Sequence, residues 1–251
     1  MPAQGSVASA FEILLSLAKL IGKAMFRSGK VGAIIVAAGS SVRMGGIDKM
    51  FAPLEGKPVL ARVVSAFEAA PSVDHIAVVL AEHNLELGRH LASTEHWRKV
   101  DAIVPGGALR QSSVEAGLEK LPHCEWCIIH DGARPMVTVD LIEAGLEAAE
   151  ATGGAIAAVS IIDTIKEEKD GFVAQTLPRG SLRAAQTPQV FRADIINEAY
   201  KRMTGEVTDD ASLVEVVGHQ IRLYPGDYQN IKITTPADLI CAEALWRRRG
   251  C

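Results

Sequence analysis

The chain has 251 residues, 48% of them hydrophobic and 22% charged, with a net charge of −4. This is an ordinary globular composition, long enough for one large domain or two small ones without disulfide or metal staples. The lack of a basic excess and an aromatic content of 5% speak against a nucleic-acid partner, which needs a positive stripe or stacking platforms.

Residues 1–30 stand apart. The stretch 11–26 (FEILLSLAKLIGKAMF) is apolar at helical spacing but is interrupted by Glu12, Lys19 and Lys23. It falls short of the roughly 18 uninterrupted apolar residues of a membrane span. Residues 1–10 contain no Lys or Arg, so the basic start of a secretory signal is missing. Two readings remain, an amphipathic helix that docks on something or a dispensable extension with Met25 as the true start, and the second is preferred. No stable membrane association is predicted.

From Val31 the chain alternates short apolar runs with longer helical stretches. Strands are predicted at 31–37, 75–80, 102–104, 126–129 and 155–160, and helices at 59–70, 85–92, 112–120 and 140–151. Unbroken β-branched runs such as VGAIIVA suit strands buried on both faces. The alternation predicts an α/β fold, a Rossmann-like, mainly parallel sheet flanked by helices. Around 164–183 the rhythm breaks. Alternating residues on either side of Asp170-Gly171 predict a β-hairpin that projects from the sheet as an arm. Helices at 193–203 and 210–217 follow, then strands at 220–224 and 231–234. Thr235-Pro236-Ala237-Asp238 opens the last helix, with Thr235 as N-cap, Pro236 at the first turn and an acid three residues after the cap. Residues 31–251 are thus one domain and 1–30 an extension.

Four cysteines are present, and Cys124 and Cys127 form a C-x-x-C. A redox or zinc site would be the functional reading. No second C-x-x-C exists, and Ile128-Ile129 directly afterwards looks like a buried strand. A reduced, cytoplasmic protein is the simpler account.

Ligands of parallel α/β sheets lie at the carboxyl ends of the strands. There the chain carries Ala37-Ala38-Gly39-Ser40-Ser41-Val42-Arg43-Met44-Gly45, then Lys49. A small-residue loop after a buried strand lets backbone N–H groups approach a phosphate chain, and Arg43 and Lys49 add positive charge. The string is neither a Walker P-loop nor a Gly-x-Gly-x-x-Gly dinucleotide loop. Further segments follow in order: Gly106-Gly107-Ala108-Leu109-Arg110-Gln111-Ser112-Ser113-Val114, His130-Asp131-Gly132-Ala133-Arg134-Pro135, Ala184-Ala185-Gln186-Thr187-Pro188-Gln189, Thr208-Asp209-Asp210-Ala211-Ser212 and Asn230-Ile231-Lys232-Ile233-Thr234.

The first loop resembles the signature Ala-Ala-Gly-x-Gly-x-Arg-Met of the nucleotidyltransferases that activate sugars and polyols. The ordered segments, over residues 31 to about 245, resemble the 2-C-methyl-D-erythritol 4-phosphate cytidylyltransferases. Three departures stand out. Ser41 takes the loop's second Gly position, the stretch from Arg43 to Lys49 is one residue short and lacks a Pro, and Ala108 replaces an acid of some members. The resemblance implies transfer of CMP from CTP to a polyol phosphate with Mg²⁺. Arg43, Lys49 and Lys232 would hold the triphosphate and the transition-state charge. Ala37, Ala38, Gly39 and Ser40, with Gly106, Ser113 and Asp131, would bind CTP, and Asp131 would also lie near the metal. Arg134, Thr164 and Arg179 would bind the acceptor phosphate. Members form homodimers whose arms reach the neighbouring site, so Thr164 and Arg179 would serve the partner. The chemistry is consistent on its own terms. A phosphate monoester is already an anionic nucleophile, so positioning and cations suffice.

Each residue also has a plainer reading. Asp131 could cap a turn, and Lys232 and Arg179 could be surface charges. Asp209 and Asp210 suit a helix N-terminus better than a metal, and His130 is taken as structural. The rival functions are a ribitol 5-phosphate cytidylyltransferase and a catalytically silent nucleotide-binding protein.

Overall fold

The run VGAIIVA becomes a strand because its β-branched residues pack on both sides of the sheet. Alternate residues go to opposite faces: Ala33, Ile35 and Ala37 join one core, while Ile34 joins the other. The computed structural model describes residues 29–40, 44 and 48–249. The amphipathic stretch at 11–26, Met25, Ser41 and Arg43 therefore lie outside the described residues.

In chain order the elements are β1 (Val31–Ala37), a small hairpin of β2 (Pro53–Leu54) and β3 (Lys57–Pro58), α1 (Val59–Ala69), β4 (His75–Leu80), α2 (Leu85–Thr94), β5 (Val100–Pro105), α3 (Arg110–Leu118) and β6 (Trp126–Asp131). There follow α4 (Val139–Ala149), β7 (Gly154–Ser160), β8 (Lys166–Lys169), β9 (Phe172–Thr176), β10 (Arg183–Arg192), α5 (Ala193–Lys201), α6 (Asp210–Val216), β11 (Arg222–Pro225) and α7 (Pro236–Arg249). Seven strands form one sheet in the order β11-β7-β10-β6-β1-β4-β5. Strand β1 pairs in parallel with β4 on one side and β6 on the other. The chain thus switches direction across the sheet beside β1, and a crevice opens at such a point.

Helices α1 and α4 cover one face, with Phe67 and Ile142 fully buried. Helices α3, α5 and α6 cover the other, through Val114, Ile196 and Val214. Cys127 is buried in this second core and Cys124 beside it. Burial pushes the Cys124 thiol up to about 11 and raises that of Cys127 as well, which favours unreactive thiols. Among the described residues, no helix is long and apolar enough to cross a membrane.

The arm is the β8–β9 hairpin, with every residue exposed and Asp170 and Gly171 at φ 53° and 82° in the turn. Phe172 on the arm is 78% exposed. Helix α7 starts as the sequence predicts. The Asp238 N–H donates to Thr235 Oγ1 at 3.4 Å, and the Asp238 carboxylate accepts from the Thr235 N–H at 2.8 Å. The Thr234 hydroxyl and the N–H groups of Thr234 and Thr235, all donating to its carboxylate, pull the Asp238 carboxyl down to about 2.

Two elements differ from the sequence expectation. Segment 231–234 is not a strand: the Ile233 N–H donates to the Ala133 carbonyl at 2.8 Å, but no ladder continues it. Conversely, 183–192 is a long antiparallel strand between β6 and β7 that periodicity did not reveal. Pro188 within it argues against a strand, and it is tolerated because the register shifts between Ala185 and Gln189, a bulge where no ladder N–H is required.

Candidate active site

The loop after β1 ends at the switch point, as its sequence requires. It lines a cleft of about 330 Å³ together with Lys49, Arg110, Ser113, Asp131 and Lys232. Ala37, Ala38, Gly39 and Ser40 form its floor. The Lys49 Nζ lies 4.0 Å from where a Cβ on Gly39 would sit, so the ammonium overhangs bare backbone. Gly106 makes the approach of the β5 loop possible. A Cβ there would lie 2.3 Å from that of Ala38 and 2.6 Å from Ser113 Oγ. Gly132 does the same for β6, since its Cβ would fall 2.8 Å from that of Ala37.

Asp131 ends β6 opposite Val36. Lys232 Nζ lies 2.9 Å from its Oδ2, Arg134 Nε 3.4 Å from the same oxygen, and Arg110 Nε 3.3 Å from Oδ1. Burial alone would favour the protonated acid, but Lys232, Arg110 and Arg134 hold the carboxyl well below the usual range. Arg134 also donates through Nη1 to the Asn230 carbonyl at 2.8 Å. A second cleft, of about 260 Å³, opens beyond this cluster against Arg134, Gln186, Thr187 and Gln189. Arg110, Asp131 and Lys232 line both clefts. They form a common wall, and two anionic ligands would meet there.

His130 is fully buried beneath the wall, tilted against Phe67 with ring centroids 5.2 Å apart. Burial pushes its imidazole down to about 3, so it is neutral near pH 7.

Of the residues singled out in the sequence, Ala37, Ala38, Gly39, Ser40, Lys49, Ser113, Asp131 and Lys232 come together at the first cleft. Gly106 packs just behind it and Arg134 lines the second. Thr164 and Arg179 do not join them within one chain. Both are exposed at the base of the arm, where Arg179 Nη1 donates to the Ile162 carbonyl. Arg43 lies outside the described residues.

Arg110 has no role in the sequence reading and proves central. Its Nη1 donates to Asp210 Oδ2 at 2.7 Å, linking α6 to the wall. The usable signal was its place in Gly106–Val114, a cation after the carboxyl end of a strand. Asp209 and Asp210 divide the role expected of both. Asp209 caps α6 through the Ser212 N–H at 3.1 Å, whereas Asp210 turns inward to Arg110 and the Tyr200 hydroxyl.

An α/β sheet with a small-residue loop at its switch point and a cationic wall between two clefts defines a nucleotide-binding protein suited to joining two anions. Comparison with known proteins gives the family. The family model for 2-C-methyl-D-erythritol 4-phosphate cytidylyltransferase matches residues 31–248. A protein of that name from Dehalococcoides mccartyi is 53% identical over 89% of this chain and 99% of its own length. Another from Geotalea uraniireducens is 43% identical over 86% and 96%. Among solved structures, 2-C-methyl-D-erythritol 4-phosphate cytidylyltransferase from Thermus thermophilus superposes with a TM-score of 0.73 at 32% identity, covering 87% of this chain and 99% of that one. The 4-diphosphocytidyl-2C-methyl-D-erythritol synthase from Anaerococcus prevotii gives 0.76 at 28%, over 87% and 98%. The chain belongs to the 2-C-methyl-D-erythritol 4-phosphate cytidylyltransferase family.

Proposed function

We propose that this enzyme transfers CMP from CTP to 2-C-methyl-D-erythritol 4-phosphate, releasing pyrophosphate and 4-diphosphocytidyl-2-C-methyl-D-erythritol. The carrying observation is the shared wall: Arg110, Asp131 and Lys232 border both clefts. CTP takes the first cleft, its triphosphate on the backbone of Ala38, Gly39 and Ser40 under Lys49. Ser113 and the loop at Gly106 enclose the nucleoside. The acceptor takes the second cleft beside Arg134. Its phosphate oxygen attacks the α-phosphorus, a P–O bond forms, and the bond to the bridging oxygen of pyrophosphate breaks. No protein base is required because the attacking oxygen is already ionised. Lys49, Lys232 and Arg43 neutralise charge that grows on the α-phosphoryl oxygens and the leaving group.

The donor set fits a Mg²⁺ that enters with the nucleotide. Asp131 is the only carboxylate among the described residues lining the first cleft, and it is already held by cations. Among the described residues, no group of three or more His, Cys, Asp or Glu is placed to hold a metal. Asp131 would hold such an ion together with triphosphate oxygens and water, and the ion would supply positive charge that lessens repulsion between the two anions.

Thr164 and Arg179, exposed at the foot of the arm, reach the acceptor phosphate of a second subunit in a homodimer. The exposed apolar tip at Phe172 and Val173 supports burial against a partner. The enzyme works in the cytoplasm on small molecules.

The test is pyrophosphate release from CTP and Mg²⁺ with each polyol phosphate supplied alone. Turnover with the methylerythritol phosphate is expected. No turnover with either acceptor would refute the reaction, and turnover with ribitol 5-phosphate alone would refute the acceptor.

A further inference from the structure

We infer that His130 is a positioning residue, which fixes the acceptor side of the site by closing a hydrogen-bonded ring beneath it. The inference rests on the assignment of the second cleft to the acceptor. His130 Nε2 lies 3.2 Å from the Arg134 carbonyl, and Nδ1 lies 3.1 Å from Thr187 Oγ1. A carbonyl oxygen only accepts, so Nε2 carries the hydrogen. Neither nitrogen meets a carboxylate in this buried place, so the ring is neutral and Nδ1 is bare. Thr187 then donates its hydroxyl to Nδ1, and the same oxygen accepts the Asp131 N–H at 3.0 Å. The circle closes on the other side. Arg134 Nη1 donates to the Asn230 carbonyl at 2.8 Å, and Asn230 Nδ2 donates to the Thr187 carbonyl at 2.8 Å.

Four residues thus tie together three segments distant in sequence: the end of β6, the bulge of β10 and the loop before α7. Each segment carries part of the site. The first holds Asp131 and Arg134, the second lines the acceptor cleft at Thr187, and the third leads into Lys232. Both ring nitrogens are committed, so His130 has no hydrogen to exchange with substrate, and its influence passes through the groups it holds. The Arg134 and Asn230 bonds run from N–H groups to carbonyls and have fixed directions, so the tautomer of His130 decides only whether the Thr187 hydroxyl donates or accepts. The ring sits under the acceptor cleft rather than under the triphosphate loop, so its loss acts unequally on the two substrates.

The test compares His130→Phe, His130→Gln and the unaltered enzyme. Phenylalanine keeps the packing on Phe67 and removes both polar contacts, whereas glutamine retains a donor towards the Arg134 carbonyl. In His130→Phe, KM for the polyol phosphate should rise and kcat fall, each about tenfold, through misplacement of Arg134, which lines only the second cleft. KM for CTP should stay within about twofold, and His130→Gln should recover part of the loss. Equal rises in both KM values, or unchanged kinetics in a variant that melts cooperatively, would overturn the inference. A second readout needs no turnover. In ¹⁵N-histidine spectra, the signal that disappears in His130→Gln should report an Nε2–H tautomer, and an Nδ1–H tautomer would overturn the ring. Failure of the unaltered enzyme to use the acceptor would instead remove the assignment of the cleft, leaving the tautomer to be judged separately.

Discussion

The buried pair between Arg110 and Asp210 offers the sharpest energetic test. The Asp210 side chain is 1% exposed and that of Arg110 27%. They meet at 2.7 Å, and the Tyr200 hydroxyl donates to the other Asp210 oxygen at 2.7 Å. Replacing Arg110 with Met keeps the aliphatic stem but strands a buried carboxylate. Breaking such a pair costs about 3–5 kcal/mol when both members are dry. Arg110 is partly open to water and Tyr200 still donates, so about 2–3 kcal/mol is expected at pH 8. The cost should depend on pH. Burial already raises the Asp210 carboxyl pKa against the pull of Arg110, and removing the guanidinium raises it further. A carboxyl with a folded pKa above its unfolded value takes up a proton on folding, so the variant regains stability as pH falls. The gain is about 1.4 kcal/mol for each unit that the pH lies below the folded pKa, down to the unfolded value near 4. Urea unfolding of both proteins at pH 8 and pH 5 measures this, with Arg110→Met/Asp210→Asn as the companion in which no charge is stranded. An equal loss at both pH values, with no recovery in the double variant, would refute the assignment of Asp210 as a charged partner of Arg110.

Other consequences follow from the same geometry. Lys49→Ala and Lys232→Ala should each lower kcat by about 10²–10³ if they meet charge that develops in the transition state, and a steady-state rate within a few-fold of normal would remove either from that role. Mixing Arg179→Ala and Lys49→Ala subunits should restore about one working site in each mixed dimer, since only one body then meets both intact groups; no recovery after subunit exchange would count against shared sites. His130 predicts an acid weakness. Its folded pKa of about 3 lies below an unfolded value near 6.5, so the unfolded chain binds the extra proton and stability drops as pH falls through 6.5. The loss reaches about 2 kcal/mol at pH 5. His130→Gln lacks the titrating group, so the loss should appear as a pH-dependent difference in stability between the enzyme and this variant, and a pH-independent difference in urea midpoints would contradict a neutral buried imidazole.

The central parallel strands β1 and β4 were legible because each is a nearly unbroken apolar run, and the arm because Asp170-Gly171 sits between alternating residues. Helix α7 was legible through its cap. Strand β10 was not, because Pro188 interrupts it and only the tertiary register reveals that the bulge excuses the proline. The site divided along the same line. The loop after β1 and Asp131 are signalled by local placement at strand ends. Arg110, Asp210 and Thr187 acquire their meaning from partners 100, 10 and 57 residues away in sequence, and no local pattern encodes such pairings. Asp210 in particular follows a helix N-cap, where an acid normally faces the dipole and water. Its inward turn is dictated by the cavity between Tyr200 and Arg110.

A carboxylate at the centre of an anion-binding site at first looks misplaced, since Asp131 repels both substrates. Its neighbours explain it. Arg134 is 12% exposed at the side chain and Arg110 27%, and both reach Asp131, at 3.4 Å and 3.3 Å. Without the carboxylate these guanidinium groups would face each other and Lys232 at close range in a medium that screens poorly. They would lose their shared direction and swing towards solvent. Asp131 cancels one charge and anchors three donors, so the wall keeps a fixed positive excess at the seam where the two clefts meet. On the proposed assignment of the clefts, that excess is complemented when a triphosphate lies on one side and a phosphate monoester on the other. Asp131 therefore acts by organising cations rather than by taking up a proton, which agrees with a carboxyl held far below its usual range and with a nucleophile that arrives already ionised.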